Sequence, residues 1–218
     1  MGFSLSWIGF RDLPLDVAAE ALGMAIGGGR AGLPDVGAAG LRLDGWSTVI
    51  FTPMNDRLWT SDAVSRLSAG RDIIVVHVSE TVMYVSAARW RDGVKAWSVT
   101  HDSDKGSRHL EVEGAPPAAL EVLRDKWFAE QDAQDANTAD PFPADYIFEI
   151  PVELAELETG YRHDSSGWDM VELVSTDPAP PRKGFFQRLM SKFRLWRAAI
   201  WRAGGGRVSI ALVGFARG

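Results

Sequence analysis

Two His-Asp dipeptides, His101-Asp102 in SVTHDSDKG and His163-Asp164 in GYRHDSSGWD, hold the residues whose types could do chemistry together. An imidazole beside a carboxylate can move a proton, and two such pairs converging could hold a metal ion with a position open for water. With His77 and His109 they complete an inventory of four histidines, so any two-histidine site draws on these. Registering residues 94 to 112 as a hairpin with its apolar residues on one face sets Trp97, Val99 and His101 against Val112, Leu110 and Arg108. That register turns His109 to the face opposite His101 and leaves only the 101/102 and 163/164 pairs to meet. His77, inside an apolar run, reads as a core or internally satisfied histidine.

A plainer reading competes with this one. Asp102 and Asp104 are turn formers, and His163 and Asp164 suit a loop whose side chains bond local backbone. Asp102, Asp104 and Gly106 lack the further ligands of a calcium loop. There is no G-x-S-x-G elbow, and Ser165-Ser166 beside His163 is a sequence neighbourhood rather than a triad. Gly27 to Gly29 lacks the Lys-Ser/Thr of a phosphate loop and follows a predicted helix instead of preceding one. The absence of Cys excludes disulfides, thiolate nucleophiles and Cys-ligated metals. These readings assign no catalytic residue, no metal and no cofactor, with His101, Asp102, His163 and Asp164 as the remaining candidates.

The elements that would position them read as follows. FSLSWIGF (3–10) is β-like, with no basic n-region before it as a signal peptide would require. Asp12 and Pro14 start a helix over LPLDVAAEALGMAI that Gly27 to Gly29 should stop, followed by a Gly/Pro-rich loop. WSTVIFTP (46–53) and RDIIVVHVS (71–79) read as strands, with a short helix from Ser61-Asp62 through Leu67 between them. VMYVSAARW and VKAWSVTH join at Asp92-Gly93, a strong hairpin signal, and SRHLEVE adds a third run, so a three-stranded antiparallel meander is predicted near 82–112. Pro116-Pro117 open a helix carrying Leu120, Leu123 and Trp127 on one face. EQDAQDANTADPFPAD (130–145) reads as a solvated loop, YIFEI (146–150) as a short strand, Pro151 to about Glu158 as a helix stopped by Gly160, and WDMVELVS as a half-buried strand. Interleaved helices and antiparallel pairing define an α+β class.

WSVTHDSDKGSRHLEVEGAPP and YIFEIPVELAELETGYRHD resemble stretches of bacterial proteins with no assigned activity, across the middle third to half of the chain. The resemblance implies a bacterial source and one domain holding both segments, and it carries over no functional residue.

Charge is divided along the chain. Residues 1–177 hold 14 Lys+Arg and all 29 Asp+Glu, a net −15, whereas residues 178–218 hold 9 Lys+Arg and no acid, a net +9. The expected organisation is an acidic α+β domain over 1–177, then a Pro-rich linker, a basic amphipathic helix and a terminal strand over 178–218, docked on the same domain. On a helical wheel Phe186, Leu189, Phe193, Trp196 and Trp201 share the apolar arc, and Arg197 falls inside it. Core packing is favoured by the apolar run RVSIALVGF that follows; a partner interface or a membrane surface at 185–201 is the alternative.

An acidic body argues against nucleic-acid binding, which rests on phosphate neutralisation. The leading expectation is a non-catalytic, cytoplasmic protein-binding module, immunity-like in neutralising a basic toxin or else an adaptor. The second is a hydrolase or metal-dependent enzyme on the two His-Asp pairs. The third is a peripheral membrane protein.

Overall fold

SLSWIGFR, residues Ser4–Arg11, is buried at all six positions from Leu5 to Phe10. An antiparallel strand with one wet face would alternate, so continuous burial requires cover on both faces. The structure, a computed structural model, describes residues 2–33, 37–55, 60–136 and 144–177, and it supplies that cover. Among the described residues nine strands form one antiparallel sheet: β1 (Ser4–Arg11), β2 (Met24–Ala31), β3 (Gly37–Leu43), β4 (Trp46–Thr52), β5 (Asp72–Ser79), β6 (Tyr84–Arg91), β7 (Val94–Asp102), β8 (Glu111–Gly114) and β9 (Met170–Ser175). Their order is β2-β9-β3-β4-β1-β5-β6-β7-β8. The helices α1 (Leu15–Ala21), α2 (Ser61–Leu67), α3 (Ala119–Ala136) and α4 (Glu149–Thr159) complete an α+β fold.

Alternation along the central strands builds two cores. Leu5 and Trp7 of β1, with Val76, Val78, Val85, Ala87 and Val99, face Ile150, Leu154 and Ala155 of α4 and Leu120 and Leu123 of α3. Ile8 and Phe10 point the other way, with Ile73 and Val75, toward Leu15 and Ala18 of α1 and Val64 of α2. Each Leu or Ile fully buried in these layers contributes about 1.5–3 kcal/mol relative to exposure. The meander is present as β6, β7 and β8, and its first turn uses Asp92 (φ 51°) and Gly93 (φ 82°) in the paired left-handed geometry that matches strand twist.

Four expectations are corrected. The helix after Pro14 stops at Ala21, and the Gly27 to Gly29 run lies inside β2, paired with β9 around a bulge between Ile26 and Arg30. GAAGLRL is a strand, where a loop was expected. Its small residues suit a close approach, because a Cβ on Gly40 would lie 2.9 Å from Leu15 Cδ1. EQDAQDA continues α3, with Gln131 buried and its side chain accepting the Tyr146 N–H at 2.9 Å. YIFEI is the turn into α4 rather than a strand, and its Ile147, Phe148 and Ile150 fill the core under that helix.

The chain divides into Met1–Asp177 and Pro178–Gly218, and every described residue lies in the first unit. The expectations for the tail, including Phe186, Leu189, Phe193, Trp196, Arg197 and Trp201, therefore lie outside the described residues. Among the described residues no helix is long and apolar enough to cross a membrane.

Candidate functional site

β7 and β8 pair with Val99 opposite Val112 and Trp97 opposite Gly114, two residues out of step with the expected register. The chain between them leaves strand geometry for a 3-10 turn at Ser103–Lys105, so strand parity does not govern His109. The expectation that His109 faces away from His101 is corrected: the two rings lie 6.4 Å apart. His109 Nδ1 accepts the Asp102 N–H at 3.1 Å, and the Asp102 carboxylate accepts the Asp104 N–H at 3.2 Å, as a turn former does.

His101 is wholly buried. Its Nδ1 lies 2.7 Å from the His109 carbonyl oxygen and its Nε2 2.9 Å from Asp145 Oδ2. Carbonyl and carboxylate oxygens only accept, so both ring nitrogens carry protons when both bonds form and the ring is an imidazolium. Burial pushes the His101 pKa down, but the Asp145 carboxylate, the His109 carbonyl and the Asp102 charge outweigh it and leave it raised above 6.5. This ring is saturated and has no nitrogen left for a metal or a substrate.

His163 lies elsewhere on the same face. Its ring stacks on Trp7 of β1 at 5.8 Å with planes 26° apart, and meets the edge of Phe3 at 5.3 Å. Its Nε2 sits 3.3 Å from Oε1 of Glu80, the residue following β5. His101 on β7 is opposite Val85 of β6, which is opposite Val78 of β5 and then Leu5 of β1. Three strand spacings of about 4.8 Å thus put roughly 14 Å between the strands that carry the two sites. The two pairs do not meet, and the joint hydrolytic or metal site that they would have formed is set aside. Among the described residues no group of three or more His, Asp or Glu is placed to hold a metal ion.

Asp164 does not serve His163 either. Arg162 donates to Asp164 at 2.7 and 3.2 Å and to Glu149 at 2.6 Å, with Glu156 at 3.4 Å, fastening this loop to α4. Burial raises the Asp164 pKa, yet the Arg162 guanidinium holds it below the usual carboxylate range. A second arginine plays the same part deeper in the fold. Arg89 of β6, 5% exposed, grips both Asp72 oxygens at 2.8 and 2.7 Å and Glu158 of α4 at 2.5 Å. Both networks read as structural ties between helix and sheet.

What distinguishes His163 is its surroundings. It lines a cleft of about 670 Å³ together with Phe3, Leu33, Thr52, Trp168 and Met170. Its Nδ1 is buried without a hydrogen-bond partner among the described residues, as is Thr52 Oγ1. Glu80 and Asp145, the carboxylates that differentiate the two histidines, were both missed from the sequence. They stand 83 and 44 residues from their partners and share no local spacing with them.

His77 faces a different, smaller cavity of about 180 Å³ beside α2, with Tyr84, Trp90 and Lys95. Burial pushes its pKa down to about 4, which fits the core role that its apolar strand suggested.

Comparison of the chain with protein-family models, curated proteins and solved structures finds no match.

Proposed function

We propose that this chain works by binding another protein, adding an extended basic segment of that partner to β2, an edge strand among the described residues. The observation that carries the reading is the contrast between the two ends of the sheet. β8 is four residues long and carries Glu111 and Glu113, half-exposed and paired with Lys105 and Lys95, so charge marks that end of the sheet. β2 is twice that length, has one charged residue, Arg30, and leaves Ile26 46% exposed. Its Gly run offers backbone N–H and C=O groups with little side-chain hindrance, the requirement for strand addition. The net −15 of residues 1–177 favours a basic partner and speeds its approach. A toxin-neutralising or adaptor role in a bacterial cytoplasm fits this mode of binding.

The test is capture of partners from the source cells with wild-type protein, Ile26→Lys and Glu113→Lys, followed by amide exchange of the captured complex. The reading expects a basic partner that Ile26→Lys loses and Glu113→Lys keeps, with slowed exchange along β2. Equal capture by all three proteins, or protection at β8 in place of β2, contradicts it.

A further inference from the structure

We propose that the cleft beside His163 is a small-molecule site for a neutral, mainly apolar molecule bearing a hydroxyl, whose proton is received by His163 Nδ1. Three observations converge on it. First, the ring is held in one orientation: it stacks on Trp7, meets the edge of Phe3, and its Nε2 faces Glu80 Oε1 at 3.3 Å. Because a carboxylate only accepts, Nε2 carries the proton in the neutral ring, and Nδ1 is then a bare lone pair.

Second, that lone pair is unsatisfied. The residue is 95% removed from solvent, with 5% relative exposure, and Nδ1 has no partner among the described residues. A buried acceptor left unpaired is destabilised, and a donor brought by a bound molecule would return that loss as affinity. Thr52, which lines the same cleft, has a second buried polar atom without a partner, Oγ1.

Third, the lining sets the ligand class. Phe3, Leu33, Trp168 and Met170 give an apolar wall, and the volume of about 670 Å³ lies within the range of small-molecule sites. Among the described residues of the lining the one carboxylate is Asp164, which Arg162 pairs at 2.7 Å, so the lining favours a neutral ligand over an ion. An aromatic or aliphatic alcohol fits these walls; a phosphate or a sugar phosphate does not.

The probe pair is p-cresol and p-xylene, alike in shape and differing in the hydroxyl. The full chain, labelled with 15N-histidine, is titrated with each while the long-range proton–nitrogen spectrum is followed. The proposal expects p-cresol to move the His163 Nδ1 resonance saturably, to leave both His101 nitrogens in place, and to bind about tenfold more tightly than p-xylene. His163→Phe, which keeps an aromatic ring against Trp7, should bind the two probes equally. No saturable shift with p-cresol, equal affinities in the wild type, or a preference that survives His163→Phe overturns the proposal. A Nδ1 resonance that already reports an accepted hydrogen bond and stays fixed throughout the titration also overturns it, by showing an enclosed water only. Should His163→Phe not fold, the wild-type comparison of the two probes decides the matter alone. Loss of the β2 partner interface would leave these outcomes unchanged, so this site and the strand-addition reading stand or fall separately.

Discussion

His101 and His163 are buried imidazoles, each followed by aspartate and each on the helix-covered face shared by α3 and α4, but their second nitrogens differ. His101 is enclosed by a carbonyl at 2.7 Å and a carboxylate at 2.9 Å, and it forms a charged tie between β7 and the approach to α4. His163 meets one carboxylate at 3.3 Å, leaves Nδ1 unpaired and lines the cleft. A histidine with both nitrogens on fixed acceptors is structural, and one held by a single carboxylate keeps a nitrogen for a ligand. Sequence adjacency does not decide this: the hydrogen bonds of both adjacent aspartates go to other groups.

The comparison breaks most readily through stability. His101→Phe leaves the Asp145 carboxylate buried without its counter-charge and should cost about 3–5 kcal/mol in denaturant unfolding. His163→Phe keeps the stack on Trp7, loses one long hydrogen bond and should cost about 1 kcal/mol. Equal losses would remove the distinction between the two residues.

The pH dependence sharpens it next. His77 has a folded pKa of about 4 against 6.5, so its contribution is present above pH 6.5 and is lost as pH falls toward 4, up to about 3 kcal/mol. His101 has the opposite sign: its raised pKa stabilises fully below pH 6.5 and progressively less as pH rises through the folded value. Unfolding free energy should therefore peak near pH 6.5. His77→Phe should flatten the acid side and His101→Phe the alkaline side, as read from urea midpoints across pH. An alkaline slope unchanged in His101→Phe would contradict the charged pair.

The smallest effect concerns Asp164. Asp164→Asn weakens the tie to Arg162 and should cost about 1 kcal/mol or less, with p-cresol affinity unchanged. A large loss of affinity would make Asp164, in place of Glu80, the partner of His163.

Much of this frame was legible from local pattern. The Asp92-Gly93 turn, the apolar runs of β1, β4 and β5 and the Gly160 helix stop all follow from short-range chemistry. β3 was not, because GAAGLRL carries no β-branched residue and is a strand through its packing on α1 and its pairing with β4 and β9. YIFEI reads as β by propensity, but tertiary burial of Ile147, Phe148 and Ile150 under α4 overrides it. The helical half of EQDAQDANTADPFPAD looked too polar to bury, yet a helix exposed on one side needs few apolar residues; Gln131 is the inward one. Of the site, the histidines were visible and the difference between their surroundings was not. That difference rests on Glu80 and Asp145, which only the folded sheet brings to them.

The most direct test of the account is the nitrogen spectrum of the two histidines in the 15N-histidine-labelled full chain, assigned by His101→Phe and His163→Phe. At pH 6.5, where an ordinary imidazole is half protonated, His101 should be mostly imidazolium with protons on both nitrogens. A neutral His163 should carry its proton on Nε2 and show a bare Nδ1. A His101 with one unprotonated nitrogen at pH 6.5, or a neutral His163 protonated on Nδ1, would contradict the account.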